Sequence, residues 1–321
     1  MRLKHVTIFL LLAGLVGWAA WAAPGPLVAS AADLQESAGH ADGGHGDHHG
    51  HHEMPLYAVE VFKIGPFPVT NSMIVTWVVA LALILSARMA TRQIQEVPSG
   101  AQNFWEWLVE TLYNFLEGII GSDLVKKTFW FFATIFIFIL FTNWFGLLPG
   151  VGTIGHGVQT DHGFVVTAPL LRGANADLNM TFAMAMVFFV MWTVWALQAN
   201  GVRGFFAHIF GAKGDTTGAL RVMMVVIFFL VGIIEVVSIL FRPVSLSFRL
   251  FGNIYAGENM LESMATLVPG LLWQVAIPLP FYFLEILVGL VQALVFILLT
   301  AVFTLLICSH DEEHSSGEAH G

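Results

Sequence analysis

Charge is scarce in this chain. Of 321 residues, 11% are charged and 57% are hydrophobic, whereas soluble domains hold about 25% charged residues. That deficit excludes an ordinary soluble fold. Cysteine is nearly absent: Cys308 stands alone, so there is no disulfide framework and no cysteine metal site. The formal charge of −9 carries little weight because the acids cluster in tails. The basic residues are scattered, and no nucleic-acid partner is implied. HExxH and a phosphate-binding glycine loop with lysine are both missing, and nothing pairs a nucleophile with a base. Catalytic residues, metal ligands and cofactors are therefore not expected. Short alternating strands of a membrane barrel are absent. No internal repeat is visible, which weighs against transporters built from inverted halves.

What the sequence has in abundance is long apolar runs. Several approach or exceed the roughly 18–20 residues needed to cross a bilayer. The reading is an all-α polytopic membrane protein with about five transmembrane helices plus an amphipathic surface helix. The spans fall at 70–88, 128–147, 178–198, 220–241 running into 244–268, and 278–308. The last two membrane regions are long enough to tilt. Segments 149–176 and 199–218 are expected to be loops. Residues 99–121 read as the amphipathic helix, with Phe104, Leu108, Leu112, Phe115 and Ile119 in one apolar stripe and Glu106, Glu110 and Glu117 interspersed. The helix lacks basic residues, so packing on protein fits better than an anionic-lipid anchor.

The ends read differently. Residues 1–31 hold a basic start, "MRLKH", an apolar core and the small-residue stretch Ala29–Ala31. This predicts a cleaved signal peptide, with an uncleaved anchor as the alternative. Segment 32–68 is a polar, His-rich extracytoplasmic stretch with six histidines between His40 and His52. No fixed spacing repeats there, so a solvated tail fits better than a metal site. Residues 69–308 form the membrane domain, and 309–321 an acidic cytoplasmic tail. With the mature N-terminus outside, the inner loops hold Arg88, Arg92, Lys126, Lys127, Arg203, Lys213 and Arg221, while the outer segments hold Lys63 and Arg172. Seven against two supports this orientation.

Ionisable groups at membrane depth are few: Glu235, Arg242, Arg249, Glu258, Glu262 and Glu285. Such groups point to an ion or proton path, or to a buried pair that fixes packing. For Glu262, close to a helix end, packing is preferred. At about 100° per residue, Ser238, Arg242, Ser245, Arg249 and Asn253 fall on one stripe. Glu235 joins it if Pro243 does not rotate the helix much. Glu258 lies nine residues beyond Arg249, hence roughly 180° round and about 14 Å along the axis. The two cannot pair within their own helix. Glu285 and Gln292 are seven apart and share a face. His156, His162 and His208 are placed in loops, which disfavours metal chemistry on the spans.

The stretch "RPVSLSFRLFGNIYAGE", with "TNWFGLLPG", "ADLNMTFAMA" and "LVQALVFILLT", resembles subunit a of the F-type ATP synthases over most of residues 55–308. The resemblance implies a non-catalytic, proton-translocating stator in a bacterial inner membrane. The implied partners are a c-subunit ring, b-type peripheral stalk subunits, the catalytic sector of the complex and membrane lipid. It implies that Arg249 is the electrostatic gate of two offset half-channels. Glu258, Glu285 and Gln292 would line the outer one. Glu235 and Asn253 would belong to the inner path or the face toward the ring, with Ser245 on the same stripe. Relatives often pair an acid with a histidine where this chain has Glu258 and Glu285, so here two carboxylates could share a proton. A stand-alone channel or secondary transporter, and a sodium-coupled version of the same subunit, are the alternatives.

Overall fold

The computed structural model describes residue 58 and residues 60–64, 67–148, 151, 155–160, 163–210, 219–267 and 276–308. The expectations for 1–31, for the histidine tract and for 309–321 lie outside these residues. The described part starts with a short antiparallel hairpin, β1 (Glu60–Ile64) and β2 (Phe67–Thr70). It leads directly into α1 (Asn71–Ala90). Then follow α2 (Ala101–Ile120), α3 (Ser122–Gly146), α4 (Leu178–Phe210), α5 (Ala219–Thr266) and α6 (Leu279–Cys308). Five of these helices, all except α2, are long and apolar enough to span a membrane. The protein is thus a mostly helical multi-pass membrane protein, in agreement with the apolar pattern.

Three expectations need correction. Segment 149–176 is more than a loop: it holds an antiparallel hairpin, β3 (Gly155–Thr160) and β4 (Gly163–Pro169), and a single 3-10 turn at Ala174–Ala176. The aromatic and β-branched residues there ("FVVT") suit a strand. Segment 199–218 is helical to Phe210, so His208 sits on a helix. The helix is interrupted at Gly201, whose φ of 65° and ψ of 168° break α4 in two; only glycine adopts that φ at little cost. Finally, the amphipathic stripe of α2 is rotated. Leu112, Leu116 and Ile120 are buried, whereas Phe104 and Phe115 are exposed. The packing partner decides this: Trp105 stacks on Phe141 of α3 at 6.2 Å and Tyr113 meets Phe129 edge-on at 5.1 Å.

The core lies where α3 packs against α1, α2 and α6, and α4 against α5 and α6. Aromatic rings fill it; Phe131 meets Trp195 edge-on at 5.3 Å. Few apolar forces join helices in lipid, so polar side chains supply cross-links. Asn143 Nδ2 donates to the Gly289 carbonyl (3.0 Å), Trp192 Nε1 to that of Phe303 (3.1 Å), and Asn200 Nδ2 to that of Ile307 (2.8 Å). All three tie earlier helices to α6.

Helix α5 behaves differently from the rest. Its 48 residues would extend about 72 Å, more than twice the roughly 30 Å hydrocarbon thickness, so it must run obliquely. Pro243 lies inside it. Only 17% of its span is buried, against 50% for α3. Large side chains such as Phe229, Leu230, Ile234, Phe241 and Phe248 are exposed along it. A helix apolar on an uncovered side faces lipid or a partner.

Candidate functional site

Four backbone segments converge at one end of the bundle: the end of α3, residues 171–177, and the facing parts of α5 and α6. Asp177 caps α4. Its Oδ1 accepts from the Asn179 backbone N–H (3.0 Å), the usual N-cap bond to the second helical residue. Its Oδ2 accepts from Ser72 Oγ (2.6 Å), which ties the cap to α1. Burial raises the pKa of Asp177 above its ordinary value, outweighing the opposing hydrogen bonds and the attraction of Arg172. Since the folded state then holds this proton more tightly than the unfolded state, stability falls as pH rises from about 3.8 through the folded value. Asp177→Asn should flatten that fall. The check is the temperature at which heat releases this subunit from the detergent-solubilised complex, followed against pH in both forms.

Asn175 lies two residues before the cap and is buried. Its Nδ2 donates to Thr142 Oγ1 (2.8 Å) and to Asn143 Oδ1 (2.5 Å), both on α3. Asn143 in turn holds α6, so the segment at 171–177, α3 and α6 are locked together by one amide chain. This chain fixes where Arg172 enters. Arg172 is 2% exposed, and its Nε lies 3.9 Å from Glu258 Oε2. Its guanidinium also lies 6.0 Å from the Tyr255 ring centroid. Arg172, counted from the sequence as an outer-segment charge, is therefore inside the protein.

Glu258 itself rests against glycine. A methyl at Gly173 would lie 2.5 Å from Glu258 Oε1, and one at Gly146 3.8 Å from the same oxygen. Next to it on α5, Gly257 is covered by the Glu285 carboxylate, which would collide with any β-carbon there. Glu258 and Glu285 therefore approach each other from α5 and α6 around consecutive positions. Glu258 Oε2, Glu285 Oε1 and Gln292 Nε2 are buried without a hydrogen bond among the described residues. Buried polar atoms in that condition are the ones a path of water or ions would meet. About one turn before Glu258 on α5, Asn253 Nδ2 donates to Gln292 Oε1 (2.8 Å), joining α5 to α6.

The other side of α5 is different. Arg249 is exposed, as are Ser238, Ser245 and Asn253, so the polar stripe lies on the helix's uncovered side. Arg249 makes no ion pair or hydrogen bond among the described residues. Arg242 turns away instead: it bonds Glu235 Oε1 at 3.2 Å and lies 4.4 Å over the Phe303 ring. That seven-residue pair puts Glu235 and Arg242 on one face. Glu235 is 23 residues before Glu258, roughly 35 Å along the helix. The structure thus brings Glu285 to the position next to Glu258, links Gln292, seven residues further along α6, to Asn253, and leaves Glu235 far along α5 from Glu258, and Arg249 without a bond to any of them among the described residues.

Residue patterns missed Arg172, Asp177, Asn175 and Asn143. One signal was available: Arg172 is the sole lysine or arginine between Lys127 and Arg203, five residues before an Asp that opens an apolar run. The positive-inside count treats every loop cation alike, so it could not separate this one from a solvated charge.

The fold and site define a polytopic membrane protein with acids gathered inside the bundle at one end and a lone cation on an open helix face. The ATP synthase A chain family matches residues 73–304. ATP synthase subunit a of Gloeobacter violaceus is 34% identical over 266 residues, covering 81% of this chain and 95% of that protein. ATP synthase subunit a of Moorella thermoacetica is 30% identical, covering 76% and 94% respectively. A protein of Propionigenium modestum named ATP synthase subunit a, sodium ion specific, is 31% identical over 78% of each chain. The chain belongs to the ATP synthase A chain family. It is accordingly part of an ATP synthase complex in a membrane, within ATP synthesis and ion transport.

Proposed function

We propose that this chain is the non-catalytic stator that carries protons between the two sides of the membrane and a moving ring of c subunits. The observation that carries this reading is Arg249, a permanent cation on the uncovered face of α5 with no counter-charge among the described residues. A partner that brings an acid to that face completes it. Glu258, Glu285 and Gln292 line the outer half-channel, and Glu235 with Asn253 serves the inner path or the ring face. Ser245 lies beside Arg249 on the same open stripe. Protons entering past Glu258 and Glu285 neutralise a carboxylate on the ring, which can then turn through lipid; an ionised one would bear the desolvation cost.

In this reading the membrane is a bacterial inner membrane, with the mature N-terminus outside and the C-terminus inside. Residues 1–31 are a signal peptide or anchor, 32–68 an outer segment, 69–308 the membrane domain and 309–321 an inner tail. The b-type stalk and the catalytic sector hold the chain against the ring. The seven-to-two excess of basic residues on the inner side supports the orientation.

The test uses inverted vesicles carrying the assembled complex. Glu258→Gln and Glu285→Gln should each slow ATP-driven proton pumping, and the double substitution should reduce it on the order of tenfold or more. A double variant that pumps normally overturns the outer half-channel. Pumping that requires added sodium assigns the sodium-coupled version instead. Counterflow of a solute by the purified chain alone assigns a stand-alone transporter.

A further inference from the structure

The buried Arg172 sits at the junction of the N-cap and Glu258, yet the proton path as proposed above does not use it. One permanent cation there faces two carboxylates. It attracts Asp177, and its Nε is 3.9 Å from Glu258 Oε2. Arginine keeps its charge at any working pH. It can neutralise one acid and cannot itself hand on a proton. Its own position is set from behind. Asp177 is pinned by Ser72 and the Asn179 N–H, and Asn175 by Thr142 and Asn143. The loop carrying Arg172 is therefore held to both α1 and α3. In front of it, Glu258 lies in a seat with glycine at 146 and 173.

We infer that Arg172 is a positioning residue for ion transfer: with the glycine seat at 173, it holds the Glu258 carboxylate in the outer access path beside Glu285. The inference rests on the reading of Glu258 as an ion-path residue. A glutamate carboxylate, carried on a flexible side chain, would otherwise sample several rotamers, and transfer between groups falls steeply when they are misplaced by about 1 Å. The fixed cation favours the rotamer that keeps Glu258 toward the outer loop. Alanine at 173 would act from the opposite side. Gly173 has φ −50° and ψ 126°, which any residue adopts, so the added methyl disturbs the carboxylate rather than the backbone.

The test is ATP-driven acidification of inverted vesicles carrying the whole complex, normalised to the amount of this subunit in the membrane. Arg172→Gln should lower pumping by roughly tenfold when Glu258 is present, and by less than about twofold in the Glu258→Gln background, the non-additivity expected of residues that act through each other. Arg172→Lys, which keeps the charge, should recover most of the rate. Equal losses on both backgrounds, or a lysine variant as poor as the glutamine one, overturn the inference while leaving the role of Glu258 intact. Normal pumping by Glu258→Gln alone overturns that role and the inference with it. If Arg172→Gln removes the subunit from the membrane, Gly173→Ala decides. Pumping should drop and be restored toward the parent by Glu258→Asp, whose carboxylate is one methylene shorter. An unimpaired Gly173→Ala, or no restoration, overturns the positioning role.

Discussion

Arg249→Ala is expected to abolish ATP-driven proton pumping while leaving passive proton leak unchanged or higher. The physical argument starts from cost. An arginine at the centre of a membrane helix is unfavourable by about 2.5–3.5 kcal/mol on insertion scales, and here the described residues offer Arg249 no counter-charge. A nearby positive charge lowers a carboxylate pKa by roughly 1–3 units, which is about 10- to 1,000-fold in proton occupancy. In the proposed mechanism, a ring acid that reaches Arg249 must therefore release its proton. Without the cation that step has no driving force, and the two water paths lose the barrier between them. The fold itself should survive, because the side chain is exposed and makes no ion pair or hydrogen bond among the described residues. Coupled pumping and passive leak in inverted vesicles, measured on the same preparation, separate the two effects. Undiminished coupled pumping by Arg249→Ala would sink the assignment.

Gly257→Ala should have the next largest effect, with proton pumping reduced on the order of tenfold or more. Alanine is the better helix former by about 1 kcal/mol, so the substitution does not weaken α5 as a helix. Its methyl would instead occupy the place of the Glu285 carboxylate. Glu285 is buried and has little room to retreat, so it must leave its position beside Glu258. Glu285→Asp shortens the side chain by one methylene and should partly restore pumping in the Gly257→Ala background. Assembly of the complex, followed by its yield in detergent, should stay near the parent level. Loss of assembly together with pumping, or pumping unchanged, would place the Glu285 carboxylate elsewhere.

Both results depend on how α5 divides into two faces, and that division was legible early. The nine-residue offset between Arg249 and Glu258 puts them on opposite sides of any helix, and the structure leaves Arg249 exposed while Glu258 packs inward against Arg172. The same arithmetic put Glu235 on the stripe with Arg242, and the structure adds that the two are bonded to each other. The stripe on α2 shows the limit of the method. Phe104 and Phe115 fit a helical period as well as Leu116 does, yet they are exposed and Leu116 is not. Where a helix is apolar on more than one side, periodicity cannot choose the side that packs.

The sequence alone determined the class of protein, the number of span-capable helices and the opposite facing of Arg249 and Glu258, because these follow from apolar run length and a fixed turn of about 100° per residue. It also carried enough family resemblance to anticipate an ATP synthase subunit. The tertiary structure decided which helices meet and which loop residues enter the bundle. Arg172 became an interior cation because Asn175 bonds α3, and Asn143 of α3 bonds Gly289, 146 positions away in sequence. Glu285 came to rest on Gly257 because α5 and α6 cross there. Contacts of such separation depend on how whole helices pack, and a local pattern of residues holds no record of them.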